Sequence, residues 1–242
     1  MNVVPPHLRT EMKPDPEVER VHIVFKTHLD VGFTDLAAKV TDTYLNSFIP
    51  KAMDLTEALA GTPTEFVWTT GSWLVRRFLK EADAHQRKRM ERLIEKGQFN
   101  WHALPFTTHT ELMSPSLMRA GMRISAELDQ RFGRATTGAK MTDVPGHTLG
   151  IVPVLAEAGV KMLHIGVNPA STVPEVPDFF RWRCGDAEIV MAYQAVYGMP
   201  VRIPGSTTAI AVILTNDNMG PPSVEEVKEF YDQIRERYPN AA

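Results

Sequence analysis

The sequence predicts an α/β domain built on a mostly parallel sheet, open or closed into a barrel. Three observations carry this reading. Short apolar runs rich in β-branched residues alternate with segments of helical periodicity from residue 21 to residue 238. Gly, Pro, Ser and Asp punctuate the boundaries between them. Two apolar runs end in polar clusters, His28-Leu29-Asp30 and Asp143-Val144-Pro145-Gly146-His147. In α/β folds, ligands and catalysis gather at the C-terminal ends of strands.

Taken in order, residues 1–20 hold Pro5, Pro6, Pro14 and Pro16 among many charges and read as an extended N-terminal arm, with the α/β domain over 21–242. Residues 21–27 form the first strand. A helix is expected over 35–59, with Thr34 as N-cap and Gly61 past its end, and Pro50 must kink or split it. A second strand covers 65–70, helices 72–80 and 84–96 follow, and a third strand covers 98–103. Ser114-Pro115 starts a helix that runs to Arg131, before Gly133. Strands at 138–142 and 160–166 flank a short helix at 151–158. Segments 179–183 and 188–193 read as a hairpin around Gly185-Asp186. The most apolar strand is 208–215, followed by a helix at 223–238 with Glu225 and Glu226 in its first turn, where the helix dipole favours them. Because the sequence stops directly after a helix, a further strand and further domains are expected beyond it.

Composition narrows the function. The chain has 242 residues, 43% hydrophobic and 23% charged, with net charge −3, so it is globular and gives no electrostatic reason to bind nucleic acid or an anionic membrane. Cys184 is the only cysteine, which excludes an intrachain disulfide and a Cys-based zinc site. Residues 1–20 show no signal-peptide core and no run reaches membrane-spanning length, so a cytoplasmic location is expected.

Two apart at a strand tip, His28 and Asp30 point to one side and offer an imidazole and a carboxylate to a divalent metal. The bland alternative is a strand-end His capped by its neighbour. Asp143 reads either as a turn residue in Asp-Val-Pro-Gly or as a functional carboxylate. His147 reads either as a local packing residue or as an outer-sphere group orienting Asp143. Trp101, His109 and Glu111 lie on or just after the third strand and are candidates for substrate contact. The other tryptophans, and Met113, Met118 and Met122 at helical spacing, read as core.

The ordered set of motifs resembles the N-terminal catalytic domain of glycoside hydrolase family 38, the α-mannosidases. The residues that carry it are Lys26-Thr27-His28-Leu29-Asp30-Val31-Gly32-Phe33, Phe66-Val67-Trp68 with Trp73-Leu74 to Phe78, Lys96-Gly97-Gln98-Phe99, and Asp143-Val144-Pro145-Gly146-His147-Thr148. The resemblance implies a (β/α)7-type barrel with zinc at its mouth. It implies His28, Asp30 and Asp143 as zinc ligands, Asp143 also as the nucleophile, and Phe33 lining the sugar subsite where the family has Trp. No histidine follows His164, so the family's later His ligand has no counterpart here. Residues 193–207 contain no Asp or Glu to stand for its general acid. Asp217 resembles a member of an acidic pair at the end of the matching strand. The expected activity is zinc-dependent glycoside hydrolysis on a carbohydrate. Two other readings stay open: a metal-dependent carbohydrate deacetylase, and a non-catalytic sugar-binding fragment.

Overall fold

The computed structural model describes residues 13–168 and 170–241, so residues 1–12 of the predicted arm lie outside the described residues. The chain forms two compact units, described separately below. The first comprises the residues up to Thr69, Lys96–Phe99, and Gly198 onward. The second comprises Thr70–Glu95 and Asn100–Tyr197.

A five-stranded sheet in the order β3-β2-β1-β9-β8 is made from β1 (Arg20–His28), β2 (Trp68–Gly71), β3 (Phe99–His102), β8 (Val201–Arg202) and β9 (Thr208–Asp217); the first unit holds all of β1, β8 and β9 and the opening residues of β2 and β3. β1 lies parallel to β2 and β9, and β8 lies antiparallel to β9. Its helices are α1 (Ala37–Thr43), α2 (Ile49–Leu59) and α7 (Val224–Arg237). A π-turn, Tyr44–Phe48, joins α1 to α2 just before Pro50. Proline has no N–H for the helical ladder, and the widened turn absorbs that loss without ending the helix. In α7 the predicted acidic start is a full capping box between Ser223 and Glu226. Phe25 anchors the core, with its ring 4.9 Å from Phe66 and 5.8 Å from Phe230.

The second unit carries a sheet in the order β4-β5-β7-β6, from β4 (Gly138–Asp143), β5 (Met162–Val167), β6 (Phe179–Cys184) and β7 (Ala187–Gln194). β4, β5 and β7 are mutually parallel, and β6 turns back antiparallel along β7 as the predicted hairpin. Its helices are α3 (Ser72–Glu81), α4 (Ala84–Glu95), α5 (Pro115–Phe132) and α6 (Ile151–Glu157). α5 begins where Ser114 accepts the Leu117 N–H and ends at Gly133 in the left-handed region, as its flanking residues predict. One sheet face buries Met141, Leu163, Ile165 and Met191 against Val152 and Leu155 of α6. The opposite alternation places Lys140, Thr142, His164 and Gln194, all buried, on the other face.

The α/β class and the parallel pairing agree with the sequence reading, but the barrel does not. Among the described residues the strands form two sheets and no closed one. At one of its two edges each sheet ends in an antiparallel strand that discourages further pairing. β8 is two residues long, and β6 presents Arg181 and Arg183 outward to Glu188. Among the described residues no helix is long and apolar enough to cross a membrane.

Candidate functional site

In the first unit, β1 delivers His28 to the C-terminal edge of the sheet, and β9 delivers Asp217 beside it. The register of β1 on β9 runs in step to Lys26 opposite Leu214, then shifts so that His28 lies opposite Asp217. β9 thus takes one extra residue over that step, and without this bulge Asn216 would face His28. Bulges of this kind re-aim side chains next to functional sites. The His28 Nε2 lies 3.1 Å from Asp30 Oδ1 and 4.0 Å from Asp217 Oδ1. One donor atom from each of the three side chains falls within 4.8 Å of the others.

Tyr44 holds the backbone of His28 in place. His28 is buried, and its carbonyl accepts the Tyr44 hydroxyl at 3.0 Å, while that hydroxyl also bonds Thr27 Oγ1 at 2.7 Å. Tyr44 comes from the π-turn, and burial pushes its phenol above the ordinary tyrosine range. Lys26 lies on the same strand, buried, with its ammonium on the Thr27 carbonyl at 2.9 Å, and burial pulls its pKa down to about 7.

The donor set fits a divalent cation. Two carboxylates converge on one imidazole nitrogen, and Asp217 Oδ1 is enclosed with no hydrogen-bond partner among the described residues. An enclosed carboxylate oxygen without a proton donor is costly, and a cation held by all three side chains would satisfy it. One imidazole nitrogen and two carboxylate oxygens suit zinc or another borderline divalent ion. Sequence reasoning named His28 and Asp30 but not Asp217 as the donor beside them. Asp143, the third ligand expected from the resemblance, belongs to the other unit and is not among these converging donors. Phe33 stands in the loop after β1, 79% exposed.

In the second unit, Asp143 closes β4 with φ 77°, a left-handed backbone that Asp tolerates better than most residues. Its Oδ1 accepts Asn168 Nδ2 at 2.8 Å and the Tyr197 hydroxyl at 3.1 Å. No hydrogen bond falls on Oδ2 among the described residues. The Tyr197 carbonyl in turn accepts Lys140 Nζ at 3.1 Å and lies where Gly166 has no side chain. The preceding residue, Val196, has φ 57°, a strained conformation for a β-branched side chain and one of those found at functional sites. Neither Asn168 nor Tyr197 was singled out from sequence.

Among the described residues the hydrogen bond of His147 goes to Thr110 and not to Asp143. Its Nδ1 meets Thr110 Oγ1 at 3.2 Å, and that oxygen also accepts the Thr148 N–H at 3.1 Å. Desolvation first, then the neighbouring His109, lowers the His147 pKa to about 4, so the ring is neutral at physiological pH. His109 and Glu111 lie at the short 3-10 turn Thr110–Leu112, and the Glu111 carboxylate approaches Gly146. Trp101 is a correction to the sequence reading: it is buried in the core. Its indole donates to Asp129 at 3.1 Å, and Arg134 and Phe132 pack on its ring, which leaves no face for a sugar.

Polar and charged residues gathered at the ends of parallel strands define an α/β domain of the kind that handles ligands at that edge. The chain belongs to the family described as the glycosyl hydrolases family 38 N-terminal domain, which matches residues 19–240. No curated protein matches it. Solved structures that share its fold include the following three. An α-mannosidase from Enterococcus faecalis superposes with TM-score 0.71 at 12% identity, over 92% of this chain and 27% of its own. A family 38 glycosyl hydrolase from the same species gives 0.58 at 10% identity, over 93% and 26%. A 4-α-glucanotransferase from Thermococcus litoralis gives 0.57 at 16% identity, over 91% and 37%. The chain therefore spans between about a quarter and two fifths of the length of these proteins.

Proposed function

We propose that this chain is the zinc-binding and nucleophile-bearing part of a glycoside hydrolase of the α-mannosidase kind. The observation that carries the reading is the convergence of His28, Asp30 and Asp217 at the β1 and β9 ends, with an enclosed carboxylate oxygen left unsatisfied. Family membership gives the reaction class, and the folds it shares belong to proteins named for acting on sugars. When bound by these three residues, zinc supplies a Lewis-acidic anchor for adjacent sugar hydroxyls.

The chain's own groups divide the remaining work. Phe33 offers an exposed apolar face to a sugar ring, and His109 and Glu111 offer polar contacts to the substrate. Asp143 serves as nucleophile: its Oδ1 is pinned by Asn168 and Tyr197, and Oδ2 is left to attack. In a retaining reaction a bond forms between that oxygen and the anomeric carbon as the bond to the leaving oxygen breaks, and water then releases the sugar.

The test is zinc-dependent release of nitrophenolate from 4-nitrophenyl α-mannoside. This leaving group departs unprotonated, so the assay needs no general acid from the chain. Asp143→Ala is expected to lower turnover by at least about 1,000-fold, the scale on which catalytic groups of this kind act. Added azide should restore turnover in that variant and give the glycosyl azide of inverted configuration. Full activity in Asp143→Ala would remove Asp143 from the mechanism.

A further inference from the structure

We propose that Asn218 is a positioning residue that holds Asp30 in its metal-binding geometry, an inference that rests on the zinc reading of the His28–Asp30–Asp217 site. The β1–β9 ladder ends at His28 opposite Asp217, so Asp30 lies beyond the last strand pair. A carboxylate on such an extension swings with its backbone unless something holds the peptide. Asn218 does this with its side-chain amide. Its Oδ1 accepts the Asp30 N–H at 3.0 Å, and its Nδ2 donates to the Asp30 carbonyl at 2.9 Å. These two bonds copy one more rung of a strand ladder, with an amide side chain in place of a peptide. The same Nδ2 donates to Thr34 Oγ1 at 2.9 Å, and the Asn218 backbone N–H donates to the His28 carbonyl at 3.1 Å. One residue thus ties together the backbones of two of the three donors, and it is the chain neighbour of the third.

The residue type is specific to the task. Asn218 has φ 51°, in the left-handed region, where Asn is among the few residues with a side chain that fits readily. Asp would lack the donor for the Asp30 carbonyl. The turn that follows Asp30 is itself tight: Gly32 has φ 97° and donates its N–H back to the Asp30 carbonyl at 3.0 Å. That carbonyl therefore receives donors from both sides, which fixes the plane of the peptide just past the Asp30 side chain.

The experiment compares wild type, Asn218→Gly and Thr34→Ala. Gly accepts the left-handed backbone without strain and keeps the N–H to His28, so the first variant removes the amide arms alone. Two quantities are read: the zinc dissociation constant by chelator competition, and hydrogen exchange of the Asp30 amide in the metal-free chain. Asn218→Gly should weaken zinc by roughly 10- to 100-fold, the range for groups that orient metal ligands. It should also accelerate Asp30 amide exchange while metal-free thermal unfolding stays near that of wild type. Thr34→Ala, which loses only the outermost arm, should bind zinc close to wild type. Wild-type zinc affinity together with slow Asp30 exchange in Asn218→Gly would overturn this inference alone. A wild-type chain that takes up no zinc would overturn the metal reading beneath it.

Discussion

Asp217→Ala is expected to end tight zinc binding and, in the metal-free chain, to leave stability unchanged or raised. The two effects have opposite signs because one side chain does two things. Without a cation, Asp217 brings a second carboxylate toward His28 beside Asp30 and encloses an oxygen that has no donor among the described residues. Removing it relieves like-charge repulsion and a desolvation cost. With a cation, the same oxygen is one of three donors, and its loss should weaken zinc by more than the roughly 100-fold upper range for outer-sphere groups. Differential scanning calorimetry separates the effects. At zinc one hundred times its dissociation constant, wild type should gain about 2.7 kcal/mol. That corresponds to a rise of about 5–10 °C in Tm for a domain of this size. Asp217→Ala should melt at or above the metal-free wild type and show no zinc-dependent rise. A zinc shift of wild-type size in this variant would mean that Asp217 is not a ligand.

Gly166→Ala should destabilise the second unit and loosen Asp143 together. A Cβ at position 166 would lie 2.2 Å from the Tyr197 carbonyl oxygen and 2.4 Å from its carbon, both backbone atoms that no side-chain rotation can move away. Overpacking of this kind costs about 1–3 kcal/mol, and a contact this short belongs at the upper end. The displaced segment carries the Tyr197 hydroxyl bonded to Asp143 and the carbonyl bonded to Lys140. The expected result is a Tm lowered by about 6–12 °C, with a further fall in kcat at temperatures where the variant is still folded. A variant with wild-type Tm would show that the Tyr197 segment moves aside at little cost.

Much of this was legible in local chemistry. Ser114-Pro115 and Gly133 bracket α5 as caps should, and the alternation of strands and helices gave the α/β class. The hairpin around Gly185-Asp186 followed from two β-rich runs and a short polar turn. What escaped depended on partners far along the chain. Asp217 faces His28 because β1 lies beside β9 and because one bulged residue shifts their register. Neither fact leaves a mark at residue 217. The bonds from Asn168 and Tyr197 to Asp143 arise in loops, where no periodicity points to a partner. β8 is too short to show a pattern, and the π-turn was signalled only by Pro50. Closure was not legible for a related reason: strand count and polarity can be read locally, whereas the pairing of the strands, in two sheets among the described residues, is set by partners far along the chain. Trp101 shows the same limit at the level of one side chain. Its position near a strand end suggested a sugar contact, and only the packing of Arg134 and Phe132 reveals it as core.

We expect the ends of β1 and β9 to hold one zinc ion through one imidazole and two carboxylates. X-ray absorption at the zinc edge of the loaded chain tests it most directly. The predicted spectrum has a first shell of nitrogen and oxygen alone at about 2.0–2.2 Å, with scattering from a single imidazole. A shell containing sulfur at about 2.3 Å, or one built from two or more imidazoles, would contradict it.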